Sequence, residues 1–286
     1  MRYQFTMDQP RNRGRGPALA VAALISLGVV GYAFAACGDR NPDRASAGES
    51  VVSTPTPLPA PSTPPPTQPE VPAPTTATGF YTVGRTAWKA GDFAHAESAF
   101  VQALAIDSTH VRSQLYLSRI LIESGRAGDA LQHIEAAVAL DSTSSEPLRL
   151  LGRAYEVLGR SDEAIEAYKR SIVRNPDDIW SLNNLGSLYI KLGRSEEALG
   201  PIARAIELEK NVAIFHNNLG TALEKTGHFT AAAEAYRAAL AVEGTYGPAA
   251  TNLTRVEQLK EDPAAQPVDL AALAKAFVDQ IPSWNK

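Results

Sequence analysis

Slid along itself by the interval that separates Gly91 from Gly125, much of this chain falls onto its own pattern, and that period constrains its fold more than any other feature. Glycine stands at Gly91, Gly125, Gly159, Gly193 and Gly227, evenly spaced throughout. Alanine follows at the same offset every time, at Ala96, Ala130, Ala164, Ala198 and Ala232. A large residue comes one helical turn later (Phe100, Ile134, Tyr168, Ile202, Tyr236), then a small one at Ala103, Ala137, Ser171, Ala205 and Ala239. Upstream of the glycines lie the pairs Val83-Gly84, Leu117-Ser118, Leu151-Gly152, Leu185-Gly186 and Leu219-Gly220. Five columns in phase over five copies mark one supersecondary unit, stacked.

The unit reads as a helical hairpin. Apolar residues run at three-to-four spacing, as in Leu182, Leu185, Leu188 and Tyr189, then Ala198, Ile202, Ala205 and Ile206. Glycine after the first run suits a helix C-terminus, where a left-handed residue satisfies orphan carbonyls. The Gly/Ser and Ala columns are small where two helices cross closely, and the large residues fill the space to the next hairpin. One hairpin cannot bury its own apolar face, so copies share a continuous core.

The period and its small-large columns resemble the tetratricopeptide repeat family over residues 77–246. The resemblance implies an all-α, right-handed superhelical solenoid of five units: 77–110, 111–144, 145–178, 179–212 and 213–246. The family's unit-ending proline is present only at Pro176; Ser108, Ser142, Lys210 and Gly244 stand elsewhere. Pro201 falls inside the second helix of the fourth unit, where a lost backbone bond predicts a kink. Residues 247–262 read as a cap helix, over Pro248 to Lys260. Residues 263–286 hold an amphipathic helix over 268–281, with Leu270, Leu273, Ala274, Phe277 and Ile281 on one face. It is expected either to pack on the array or to bind something, including the groove of its own chain or of a second copy.

Before the repeats the chain changes character twice. Residues 1–16 hold four arginines against Asp8, and residues 17–36 carry no charge. A basic stretch, an apolar core and small residues read as a secretory signal, and an apolar run of that length also suffices to span a bilayer. The arginines predict that everything beyond is exported. Phe34-Ala35-Ala36-Cys37 resembles a bacterial lipobox, with Phe34 where an aliphatic residue is usual, which implies lipidation at Cys37. Ala33-Phe34-Ala35 also fits an ordinary cleavage site, and an uncleaved anchor is the third reading of residues 1–37. Residues 38–76 follow, with ten prolines from Pro55 to Pro74 among Ser, Thr and Ala. That composition predicts a disordered, extended spacer. The expected location is the cell envelope, membrane-anchored, with the repeats on the periplasmic side.

In a stack of this family the first helix of each unit lines the concave side, so polar columns on first helices are candidate contacts. One column is Asn184, Asn218 and Asn252, within Asn183-to-Gly186 and Asn217-to-Gly220 doublets like those of family members that grip a peptide backbone. A second is Arg85, Arg119 and Arg153, with Arg112 and Arg149 nearby, suited to carboxylates. The expected occupant is an extended, partly acidic peptide or a flexible protein segment; solvated helix surface is the plainer alternative. Trp88 and Trp180 are expected to pack within hairpins, and the five histidines to be surface or packing residues.

A net charge of −4 is far from that of a general nucleic-acid binder, and the one cysteine leaves no thiol pair for a metal. No catalytic constellation, cofactor or metal site is expected. The sequence therefore predicts a non-enzymatic interaction scaffold. The alternative is a noncatalytic accessory subunit that binds a cell-wall or carbohydrate polymer, although Tyr81, Trp88 and Trp180 share no column.

Overall fold

The computed structural model describes residues 74–285; Cys37, the apolar segment, and the proline-rich stretch up to residue 73 lie outside them. Among the described residues there are twelve α-helices and no strand. Ten of them are five hairpins: α1 Ala77–Lys89 with α2 Phe93–Ile106, α3 Val111–Glu123 with α4 Ala127–Leu140, α5 Glu146–Val157 with α6 Ser161–Arg174, α7 Ile179–Lys191 with α8 Ser195–Leu208, and α9 Ala213–Lys225 with α10 Phe229–Val242. The cap helix α11, Gly247–Val256, ends one turn short of the expected Lys260. A final helix α12, Leu270–Gln280, runs into a 3-10 turn, Ile281–Asn285.

Each column has a visible cause. The glycine after each first helix sits at positive φ, from 72° at Gly159 to 86° at Gly227. The turn there makes the paired bonds that close a helix: Asp92 N donates to Ala87 O at 2.9 Å while Gly91 N donates to Trp88 O at 3.1 Å. The small residue within each first helix marks the crossing with its partner. A Cβ at Gly152 would lie 2.5 Å from the Tyr168 ring, and one at Gly186 would lie 2.3 Å from Ile202. The alanines and large residues of the second helices are buried completely, including Phe100, Ile134, Tyr168, Ile202 and Tyr236.

The stack is tighter on one side than the other. Each first helix touches the next first helix, from α1 and α3 through to α9 and α11, whereas no second helix touches the next. First helices therefore converge on the inner side of the array and second helices splay on the outer side.

The C-terminal helix uses that outer side. α12 packs on α8, and the 3-10 turn packs on α6. Phe277 is 7% exposed, and a Cβ at Gly200 would come within 2.9 Å of the Phe277 Cβ. The Lys169 ammonium lies 5.2 Å from the centre of the Trp284 ring. The helix thus lies on its own array but not on the first-helix face. α8 runs unbroken through Pro201, so the expected kink does not end the helix. Leu199, Gly200, Pro201 and Ala203 are buried there. Equivalent positions to Gly200 in the other units are Ser98, Gln132, Glu166 and Glu234. α8 departs from the repeat where the C-terminal helix lands.

Candidate functional site

The inner face is built from first helices, and its charge is opposite to that of the outer one. The six first helices, α11 included, carry nine Lys and Arg against four Asp and Glu. The five second helices carry five Lys and Arg against ten Asp and Glu. Within a chain of net charge −4, the groove side is positive and the outer side negative. That division raises the local concentration of an acidic partner on one face only.

A diagonal of side chains crosses the first helices, each residue meeting one that stands a single place beyond its own equivalent in the next unit. At the N-terminal end it is aromatic: the Tyr81 and Tyr116 rings lie 5.8 Å apart. At the C-terminal end it is made of amides. Asn218 Nδ2 donates to Asn183 Oδ1 at 2.9 Å, and Asn252 Nδ2 donates to Asn217 Oδ1 at 3.0 Å. Asn183, Asn217 and Asn218 are buried, while Asn184 and Asn252 are half-buried. The sequence singled out Asn184, Asn218 and Asn252 and passed over Asn183 and Asn217, whose carbonyls fix the last two. The Asn-Asn doublets were the signal: one member reaches the preceding unit and the other the following one. Asn184 differs because the residue before it on the same diagonal is Arg149, engaged with Asp178 at 3.3 Å. Its amide makes no hydrogen bond within the described residues.

The arginine column is not uniform either. Arg119 is ion-paired with Glu146 and lies over the Tyr116 ring, with its guanidinium carbon 5.5 Å from the ring centre. Arg85 is exposed and lies over Tyr81 at 5.9 Å. Arg153 is half-buried and engaged with a neighbour. Further along, two carboxylates are satisfied by one recurring arrangement. The Tyr168 hydroxyl donates to Glu156 at 3.0 Å, and Lys191 of the next unit pairs with the same carboxylate. The Tyr236 hydroxyl donates to Glu224 at 2.8 Å, and Arg255 of α11 grips both its oxygens at 2.8 and 2.6 Å. Burial alone would raise the Glu224 carboxyl, but the hydrogen bonds from Arg255 and Tyr236 outweigh it and hold the group below its usual range.

Trp88 packs edge-on against Tyr116 at 5.4 Å. Trp180 is 42% exposed, with one edge on Phe215 at 5.3 Å. It is therefore both a packing residue and an aromatic surface. Where the third and fourth units meet, Asp178 accepts from the Ser145 hydroxyl at 2.8 Å and the Ser181 hydroxyl at 2.9 Å, and it caps α7. This buried cluster welds two units. Among the described residues, no group of three His, Cys, Asp or Glu is placed to hold a metal ion, and no helix is long and apolar enough to cross a membrane.

Comparison with known proteins bears on this architecture directly. Models described as tetratricopeptide repeat match residues 87–154, 121–182, 167–200 and 213–246, which together span just over half of the chain. No curated protein matches in sequence. Among solved structures, a thermophilic TPR protein of Thermus thermophilus is similar at 19% identity and a TM-score of 0.56, covering 64% of this chain and 100% of that one. The Cut9–Hcn1 hetero-tetramer of APC/C matches at 20% identity and a TM-score of 0.60, over 70% of this chain and 42% of that one. A MamA protein matches at 24% identity and a TM-score of 0.50, over 65% of this chain and 98% of that one. These likenesses concern the fold. With its period, its left-handed glycines and its paired helices all accounted for, the chain belongs to the tetratricopeptide repeat family.

Proposed function

We propose that the chain is a membrane-tethered, extracytoplasmic scaffold that holds an extended peptide or a flexible segment of a partner protein against its first helices. The observation that carries this reading is the amide ladder. Asn183, Asn217, Asn218 and Asn252 are locked in pairs along the inner face, and the Asn184 amide beside them makes no hydrogen bond among the described residues. A primary amide offers two donors and one acceptor, which suits the alternating N–H and C=O of an extended backbone. Pre-organised amides also lose little side-chain freedom when a ligand arrives. The reading gives the chain no chemistry of its own: it brings other proteins together.

The test is in-cell crosslinking with the full chain beside Asn184→Ala, a change that removes no hydrogen bond within the described residues. Loss of the captured partner at unchanged helical content supports the groove reading; capture of the same partner at the same yield would sink it. Attachment through a lipid on Cys37 is tested separately by Cys37→Ser. That variant is expected to leave the membrane fraction, and its continued membrane association would favour an uncleaved anchor.

A further inference from the structure

Among the second helices, α2 turns an uncharged stripe outward. Ala94, Ser98, Val101 and Ala105 follow one another at spacings of four, three and four residues, which places them on one side of the helix. All four are exposed, Val101 by 50%. Of the helices, only α1 and α3 pack on α2 among the described residues. The equivalent stripe carries Glu135 in α4, Asp162, Glu166 and Lys169 in α6, and Glu234 and Arg237 in α10. In α8 its centre is Gly200 and Ala203, and there a helix is seated, α12 with Phe277 against Gly200. This fold therefore docks a helix where the middle of the stripe loses its charge, and α2 has lost it along the whole length.

We infer that a second copy of the chain covers this stripe, α2 lying antiparallel on α2 about a two-fold axis. A two-fold contact must be self-complementary, residue i meeting j wherever j meets i. With the axis level with the Ala99–Phe100 bond, Ala94 of one copy stands level with Ala105 of the other, and Ser98 with Val101. The one large side chain of the stripe thus meets a small one, in alternating layers like those of a two-helix coil. An unrelated helix would need no such symmetry. A pairing through α6 or α10 would have to take charged side chains out of water, whereas the α2 stripe brings none. Glu97, the acid at its margin, is already ion-paired with Arg126. Docking on the outer side leaves both first-helix faces open, so the pair offers two grooves to one partner, and the contact neither needs nor blocks the groove reading.

The test uses two differently tagged full-length copies made in the same cell, one of them purified through its tag. Recovery of the second copy is expected. It should fall about tenfold or more when both copies carry Val101→Glu, or both carry Val101→Lys, because like charges then face each other across the axis. Helical content should not change, since Val101 is half in water already. One Val101→Glu copy with one Val101→Lys copy is expected to restore recovery, which a folding defect would not do. Glu135→Lys, at the same position of the second unit, should leave recovery unchanged and so separates docking through α2 from association by a shared membrane anchor. Failure of unaltered copies to associate, recovery that survives Val101→Glu, or equal loss in Glu135→Lys would overturn the inference. So would failure of the opposite charges to restore recovery, which would give the stripe to an unrelated helix or to residues before 74.

Discussion

The first and fourth units are built on the same columns and end in opposite situations. In the fourth unit Leu185 is fully buried, Ser195 is 6% exposed and Ala203 is 5% exposed. Their equivalents in the first unit are Val83, Phe93 and Val101, exposed by 46%, 46% and 50%. The fourth unit has a neighbour on either side and α12 across its outer face, whereas among the described residues no unit precedes the first. The shared columns therefore guarantee only the contact inside a hairpin. Everything else depends on what lies beside it. Stability in such arrays is a sum of unit and neighbour terms, and these two units sit at opposite ends of that sum.

The largest expected effect breaks the fourth unit's advantage. Phe277→Ala removes the aromatic ring that α12 lays over Gly200, and deletions of this kind cost about 3–5 kcal/mol where the site cannot collapse. Because α12 contacts the array through one face, the change is expected to release the strap while the hairpins stay folded. Limited proteolysis should then cut at Lys275 in the variant well before the wild type, with most of the helical signal retained. Cooperative loss of the whole helical signal would instead make the strap part of the array's core.

A second pair of changes sharpens the comparison at one column. Gly186→Ala and Gly84→Ala both place a methyl where none fits, 2.3 Å from Ile202 in the fourth unit and 2.7 Å from Phe100 in the first. Overpacking of this kind costs about 1–3 kcal/mol. The fourth unit, hemmed in by α9 and α12, is expected to take the upper part of that range. The first, with no unit before it among the described residues, has more room to shift its helices and is expected to take the lower. Thermal denaturation of the two variants decides it: an equal loss would mean that neighbours do not limit how a hairpin relaxes.

A smaller effect separates the C-terminal end from the N-terminal one by pH. Glu224 is held below its usual range, so its pairing with Arg255 and Tyr236 contributes fully above the ordinary carboxylate pKa and is lost as pH falls through the lowered folded value. Glu224→Gln should therefore narrow the stability gap between neutral and acidic pH. Exchange of backbone amides on α9 and α11 should report this, with α1 unaffected.

The hairpins were legible because each column answers to a contact inside one unit: Gly91 to a left-handed turn, Gly186 to the passage of Ile202, Tyr236 to the gap behind Gly220. The contacts between units were harder to read. Asn218 stood out as a column member, but its partner Asn183 belongs to the preceding unit and to a different position in it. A search at the repeat's own period misses a bond that spans one place more. Likewise Arg119 looked like Arg85 in sequence and differs in fact, because the position that pairs with it in the next unit holds Glu146, whereas the equivalent position one unit earlier holds Arg112. Pro201 read as a flaw in a helix. Together with Gly200 and Ala203 it instead marks where the fourth unit gave up a polar outer face to receive Phe277. Departures from the repeat carried more information about docking than the repeat itself.

The smallest expected effect tests the open end directly. Val83 occupies the column whose other members, Leu117, Leu151, Leu185 and Leu219, are no more than 6% exposed. With nearly half of its surface already in water, Val83→Ser gives up little burial and should change stability by no more than about 0.5 kcal/mol, the ordinary range for a surface exchange. Leu185→Ser removes a fully buried side chain, leaves a cavity and strands a hydroxyl, so several kcal/mol are expected. The measurement is urea unfolding of the full chain and both variants. If Val83→Ser proves as costly as a core exchange, then the first unit is covered in the full chain, by residues before 74 or by a second copy. Dilution separates those two, since only cover by a second copy weakens with falling concentration.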